Sequence, residues 1–282
     1  MPSICRRGGA GMAVIGAMAV LACASAGVAF GTGAAEWRPV TAPVTLAGHY
    51  YEPAAAASNP HAIQRSSSEP GLIRFNAREG QNSRWDQKEG SAVDRAELTG
   101  WAQPNPLGSD IWLAYSQRVL PGDPITSRWC VVGQMHATTQ AGDRGSSPPF
   151  ALHLLPGDVF EISTRYVAAA RHRENPDETI RYSGKIERNR WYNHVFRLRF
   201  GYKGDAILQW WRDGVLMLDL TGFSMGYNDP EGPYWQFGIY RNTSPEDLVV
   251  EYRNVELSRT SLASRITSVR SSDESNRETE RR

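Results

Sequence analysis

Cysteine is scarce in this chain. Three are present, and Cys5 and Cys23 both lie close to the N-terminus. Cys130 is left alone in the body of the sequence, so no internal disulfide is expected. Its setting, Trp129-Cys130-Val131-Val132, marks a small buried apolar residue rather than a nucleophile. Charge of one sign is also lacking. The formal net charge is +1, which gives no reason to expect nucleic acid or a membrane surface as partner, though a local basic groove fits within that balance. No His and Cys cluster has zinc spacing, so no metal ligand is assigned. No apolar run is long enough for a good membrane span. No segment holds a helical period, which argues against a helical domain.

The N-terminus reads as an export signal. Arg6 and Arg7 precede an apolar stretch from about Gly11 to Ala22, followed by small residues through Ala35. Residues 1–35 are assigned to it, with cleavage after Ala29 or Ala35. Cys23, preceded by Val20-Leu21-Ala22, offers lipidation as the alternative. The mature protein is therefore expected to be secreted or periplasmic, or lipid-anchored through Cys23. Residues 36–70 contain Ala54-Ala55-Ala56-Ala57 and Ser66-Ser67-Ser68 and are expected to form a loose linker, with His49 and His61 on the surface. Residues 259–282 are dense in Ser, Arg and Glu and are expected to be a disordered or weakly helical tail.

Between residues 71 and 258 the pattern changes. Nine Trp, eleven Tyr, 26 Gly and 17 Pro in the whole chain suit aromatic strands joined by turns. Short alternating segments predict strands near 72–77, 94–99, 111–119, 128–136, 150–154, 159–165, 191–200, 206–212, 215–220, 234–240 and 249–257. Asp213-Gly214 between two such runs predicts a two-residue hairpin. The expectation is an all-β, concanavalin-like sandwich or jelly roll with a concave groove, acting as a monomer.

Three strands carry polar residues at i, i+2 spacing, which places them on one face. Arg95 and Glu97 form the first pair, and an ordinary surface ion pair is the bland reading. Gln134 and His136 form the second, where the bland reading is a strand-end His in solvent. The third runs from Tyr234 to Arg241. There Trp235, Phe237 and Ile239 face a core, while Tyr234, Gln236, Gly238 and Tyr240 face away, and Gly238 leaves space for a ligand. One concave face would then gather an Arg, a Gln, a His and a Tyr. Elimination from a uronate requires such groups. Gln134 and Arg95 would stabilise charge as an enolate-like species forms. His136 or Tyr240 would remove the C5 proton, and Tyr240 would protonate the departing O4. In a glucuronate or mannuronate that proton and O4 lie on one side, so one residue can serve twice. In an iduronate or guluronate they lie on opposite sides, which calls for His136 as base and Tyr240 as acid.

Arg95-Ala96-Glu97-Leu98, Gln134-Met135-His136 and Tyr234-Trp235-Gln236-Phe237-Gly238-Ile239-Tyr240 resemble the three motif strands of jelly-roll polysaccharide lyases. The likeness is to the heparin lyase I-like group, which includes glucuronan lyases, and more distantly to alginate lyases. Supporting stretches are 73–80, 148–152 and 189–195, and the resemblance spans about Leu72 to Leu257. It implies carboxylate neutralisation by Gln134, a base or neutralising role for His136 and an acid role for Tyr240. The substrate would be an acidic polysaccharide, touched also by Glu97, Tyr234, Gln236, Arg241 and His153. No cofactor is required, and a structural Ca²⁺ is known in some similar lyases, though no motif marks one here. Relatives often carry Lys at the position of Gln236. Losing that charge disfavours a highly sulfated substrate and favours a plain polyuronate such as glucuronan.

Other histidines carry less. His194 shares a face with Phe196, Leu198 and Phe200 and is expected inside. His172 sits in a polar stretch read as a loop beside the groove. Two rival functions remain: a non-catalytic carbohydrate-binding sandwich, and a sandwich-fold glycoside hydrolase. The hydrolase would need paired carboxylates flanking the bond, and no strand carries such a pair.

Overall fold

The computed structural model describes residues 36–86, 92–138, 147–169 and 176–266. Their strands form two large sheets. The nine-stranded sheet runs in the order β1 (Trp37–Pro39), β4 (Ile63–Ser66), β5 (Ile73–Ala77), β17 (Leu248–Ser258), β7 (Asp110–Val119), β13 (Tyr192–Arg199), β14 (Gly201–Arg212), β15 (Val215–Tyr227) and β11 (Tyr166–Val167). The eight-stranded sheet runs β12 (Thr179–Lys185), β10 (Val159–Thr164), β9 (Phe150–Leu155), β8 (Cys130–His136), β16 (Tyr234–Asn242), β6 (Val93–Thr99), β3 (His49–Ala55) and β2 (Val44–Leu46). Most pairings are antiparallel and non-consecutive strands neighbour one another, as a jelly roll requires. The all-β sandwich read from the sequence is the observed fold.

Alternation builds the core. Trp235, Phe237 and Ile239 of β16 are at most 1% exposed. Phe237 meets Phe75 and Tyr252 from the opposite sheet edge-on, with ring centroids 5.5 and 5.2 Å apart. Removing an aromatic from such a site costs about 3–5 kcal/mol, because lost transfer energy and the cavity add. All the strands expected from the sequence are present. The Asp213-Gly214 hairpin forms with φ of 52° and 79°, the two positive values that a tight primed turn needs.

Residues 36–70 differ from the loose linker expected of them. They supply β1 to β4, and Tyr51, Ala54, Ala62 and Ile63 are each 1% exposed. Of the alanines read as low complexity, Ala54 and Ala55 belong to β3, Ala54 and Ala56 are buried, and Ala57 is exposed. The tail also begins inside the fold. Leu262 packs against Ala114 and Val195, and Arg265 pairs with Glu256 at 2.7 Å. The signal segment with Cys5 and Cys23, the loop bearing His172, and residues 267–282 lie outside the described residues. Among the described residues no helix is long and apolar enough to cross a membrane.

Candidate active site

Strands β3, β6, β16 and β8 lie side by side and carry the site. Register sets a row across them: Glu52 opposes Thr99, Thr99 opposes Gln236, and Gln236 opposes Gln134. Directly opposed residues share a face, so the row is common to all four strands. Tyr234 opposes His136 to one side of that row, two residues along β16 and β8. Tyr240 opposes Arg95 to the other side, four residues along β16 and β6.

Glu97 is the hub. It is fully buried and receives Arg95 Nη1 at 2.6 Å, Gln134 Nε2 at 2.9 Å and Gln236 Nε2 at 2.6 Å. Burial pushes its carboxyl up from the ordinary range, and the Arg95 charge and the two amide donors oppose that. Asp86 holds the rest of the guanidinium through Arg95 Nε at 2.7 Å and Nη2 at 2.9 Å. A guanidinium has five N–H bonds, so two remain for a ligand. The Arg95 guanidinium also lies 3.5 Å from the centre of the Tyr240 ring.

His136 Nδ1 lies 2.7 Å from the carbonyl oxygen of Ala137. A carbonyl only accepts, so Nδ1 carries the proton and Nε2 presents its lone pair. Burial holds the imidazole below its ordinary range, and the Arg95 charge adds to this against the Ala137 bond. Tyr234 stacks on it, with centroids 5.1 Å apart. Burial, helped by the Glu97 charge, pushes the Tyr234 phenol up to about 12. Burial also raises Tyr240, with the Arg95 charge opposing.

A cleft of about 380 Å³ opens over this face, lined by Arg95, Thr99, His136, Tyr234 and Gln236 together with Glu52, Arg84, Trp85 and Trp101. Four of the expected residues therefore reach it: Arg95, His136, Tyr234 and Gln236. Gln134 is 2% exposed and serves the cleft from behind, through Glu97. Tyr240 stands beside Arg95 rather than in the cleft wall.

Three expectations are corrected by depth and direction. Glu97 is too enclosed to touch substrate. Arg241 points to the opposite face and is fully buried between Asp94, at 3.0 Å, and Glu246, at 3.1 Å. Gly238 leaves no space for a ligand. At its φ of 135° a Cβ would stand 2.3 Å from the Ala96 carbonyl oxygen and 2.7 Å from Phe75. The glycine is required by its neighbours at a bulge in the β16–β8 pairing. His153 shares the concave face, but its Nε2 is taken by Ser163 Oγ at 3.0 Å and Glu178 Oε1 at 3.3 Å. His194 is interior, as expected. Its Nδ1 accepts from Trp210 Nε1, and burial with the Arg212 charge lowers its pKa to about 3. Burial pushes the Cys130 thiol up to about 12, so it is no nucleophile.

Sequence reading missed Asp86, Arg84, Trp85 and Trp101. The two indoles are 43% and 51% exposed. The available signal was a large aromatic set among turn residues, as in Gly100-Trp101-Ala102. Among the described residues no group of three or more His, Cys, Asp or Glu side chains is placed to hold a metal ion.

The sequence pattern of the family described as "Polysaccharide lyase" matches residues 57–256. The chain belongs to that polysaccharide lyase family. The enzyme's fold resembles that of an endo-β-1,4-glucuronan lyase from the fungus Trichoderma reesei, with 12% identity and a TM-score of 0.53 over 67% of this chain and 81% of the other. It is also similar to an alginate lyase from Pseudomonas aeruginosa, with 19% identity and a TM-score of 0.46 over 70% and 86% of the two chains. No curated protein matches the lyase in sequence. Family membership makes it an enzyme that acts on polysaccharides, and neither a carbohydrate-binding module nor a hydrolase.

Proposed function

We propose that this lyase cleaves an unsulfated uronic-acid-containing polysaccharide at a glucuronate, by β-elimination, as a glucuronan lyase does. The observation that carries the reading is the His136 imidazole, neutral and with Nε2 unprotonated, in the same cleft as Arg95 and Gln236. The two remaining Arg95 N–H bonds and the Gln236 amide take the substrate carboxylate. Their dipoles and charge stabilise the enolate-like species. His136 Nε2 takes the C5 proton, the electron pair becomes the C4–C5 double bond, and the C4–O bond breaks. The leaving oxygen receives a proton from Tyr234, which stacks on His136 and so acts from the same side. Same-side removal and delivery is what a glucuronate demands. Tyr234 is raised by burial and keeps its proton at neutral pH. The missing cation at Gln236 supports an unsulfated substrate. The export signal read in residues 1–35 supports action outside the cytoplasm, either released or anchored through Cys23.

A second reading gives the acid role to Tyr240, as the motif resemblance implies. Tyr240 opposes Val131, five residues along β8 from His136, a separation of about 16 Å at the strand rise. The two side chains could act only on a ring lying between them, from opposite ends. That geometry suits a guluronate or iduronate.

The test is ultraviolet absorbance of the mature protein acting on glucuronan, alginate, heparin, heparan sulfate and hyaluronan. Elimination creates a conjugated unsaturated uronate. Absorbance on glucuronan that is lost in Tyr234→Phe supports the first reading. Absorbance on a guluronate-rich polymer that is lost in Tyr240→Phe supports the second.

A further inference from the structure

The charge in the cleft is unusual for a receptor of polyanions. Among the described residues that line it, the charged ones are Glu52, Arg84 and Arg95. Arg95 is already bound by two carboxyl groups, Asp86 and Glu97. Three carboxyl groups thus face two guanidiniums. With Glu97 ionised the cleft is net negative, and with Glu97 protonated it is neutral. In neither state do the described residues supply the surplus positive charge that an unbroken polyuronate would call for.

Glu52 is the residue that tips this balance. It stands in the row with Thr99 and Gln236, two strands from Gln236 and so about 10 Å away. That distance reaches the sugar next to the one being cleaved. Among the described residues no ion pair neutralises Glu52, and the Tyr50 hydroxyl donates to it at 3.2 Å. The exposed indoles of Trp85 and Trp101 line the same cleft. Indole faces suit the apolar faces of sugar rings, and a carboxylate accepts strongly from their hydroxyls. The same carboxylate repels another carboxylate across a short gap. Glu52 also belongs to β3, which precedes the family-matched residues 57–256.

We propose that Glu52 sets the charge selectivity of the cleft: the sugar bound at the Glu52 end is uncharged, and the substrate carries its uronates separated by neutral sugars. This rests on the elimination reading above and narrows its substrate from a glucuronate homopolymer to a polymer that alternates glucuronate with neutral sugars. The experiment compares kcat/KM, by ultraviolet absorbance, on a glucuronate homopolymer and on polymers in which glucuronate is separated by neutral sugars. Wild type and Glu52→Gln are measured at low and high salt. The expected result is a wild-type preference for the mixed polymers. Glu52→Gln should gain about tenfold on the homopolymer, lose about threefold on the mixed polymers as the hydroxyl acceptor weakens, and lose its homopolymer advantage at high salt. Wild-type preference for the homopolymer, or loss of activity on both classes in Glu52→Gln, overturns the proposal while leaving elimination established. Absence of new absorbance with every polymer overturns the elimination reading itself, and this inference with it.

Discussion

Gln134 donates one amide N–H to the buried carboxylate of Glu97, at 2.9 Å. An expected substrate-binding residue is thereby the anchor of an expected catalytic one. Glu97→Ala should leave Arg95, Gln134 and Gln236 without their shared acceptor. Removing one partner of a buried ion pair costs about 3–5 kcal/mol, which urea denaturation would register. Glu97→Gln keeps the shape and should retain most of the stability, yet lower kcat more than it raises KM.

In the proposed elimination, His136 sets the pH response. Its pKa in the folded protein lies below the ordinary value of about 6.5. The neutral base therefore survives further into acid, and the acid limb of kcat/KM should lie below pH about 6.5. His136→Asn should abolish that limb along with most of kcat. A limb that persists in the variant would assign the base elsewhere.

Stability follows the same sign through His194. Its folded pKa is about 3, below the unfolded value. The unfolded chain binds the extra proton between those values, so stability is full above pH about 6.5 and declines as pH falls toward 3. Thermal midpoints measured across that window should drop steadily.

Arg241→Met should destabilise the protein by about 3–5 kcal/mol, because Asp94 and Glu246 lose their buried partner. KM should stay within a factor of about two of wild type for the folded fraction, since surface-distant changes of this kind act on stability. A large rise in KM would return Arg241 to the substrate.

Gly238→Ala should cost about 2–4 kcal/mol, from a strained φ and a Cβ driven against the Ala96 carbonyl. Chemical denaturation measures it directly.

Much of this architecture is legible in the sequence. Alternation in β16 separated Trp235, Phe237 and Ile239 from Tyr234, Gln236 and Tyr240, because strand periodicity fixes a face. It does not fix depth. Glu97 and Gln134 lie on the right face yet beneath the surface, where hydrogen bonding decides access. Arg241 was misread because strong pairing can hide a charged side chain completely. β3 escaped notice because Ala54 and Ala55 look the same in a loose linker and in a tight sheet. β12 escaped because Thr179–Lys185 is an edge strand, half in water and without an apolar face. Trp85 and Trp101 sit in turns, where no period announces them.

The wall strand has one more implication. β3 stands outside the family-matched stretch, while Arg95, Gln134, His136, Tyr234 and Tyr240 all fall within it. On the proposed role of Glu52, one determinant of polymer choice lies on a stretch of chain separate from the proposed reacting groups. A lineage of such enzymes could exchange its leading strands and change diet without altering a single reacting group.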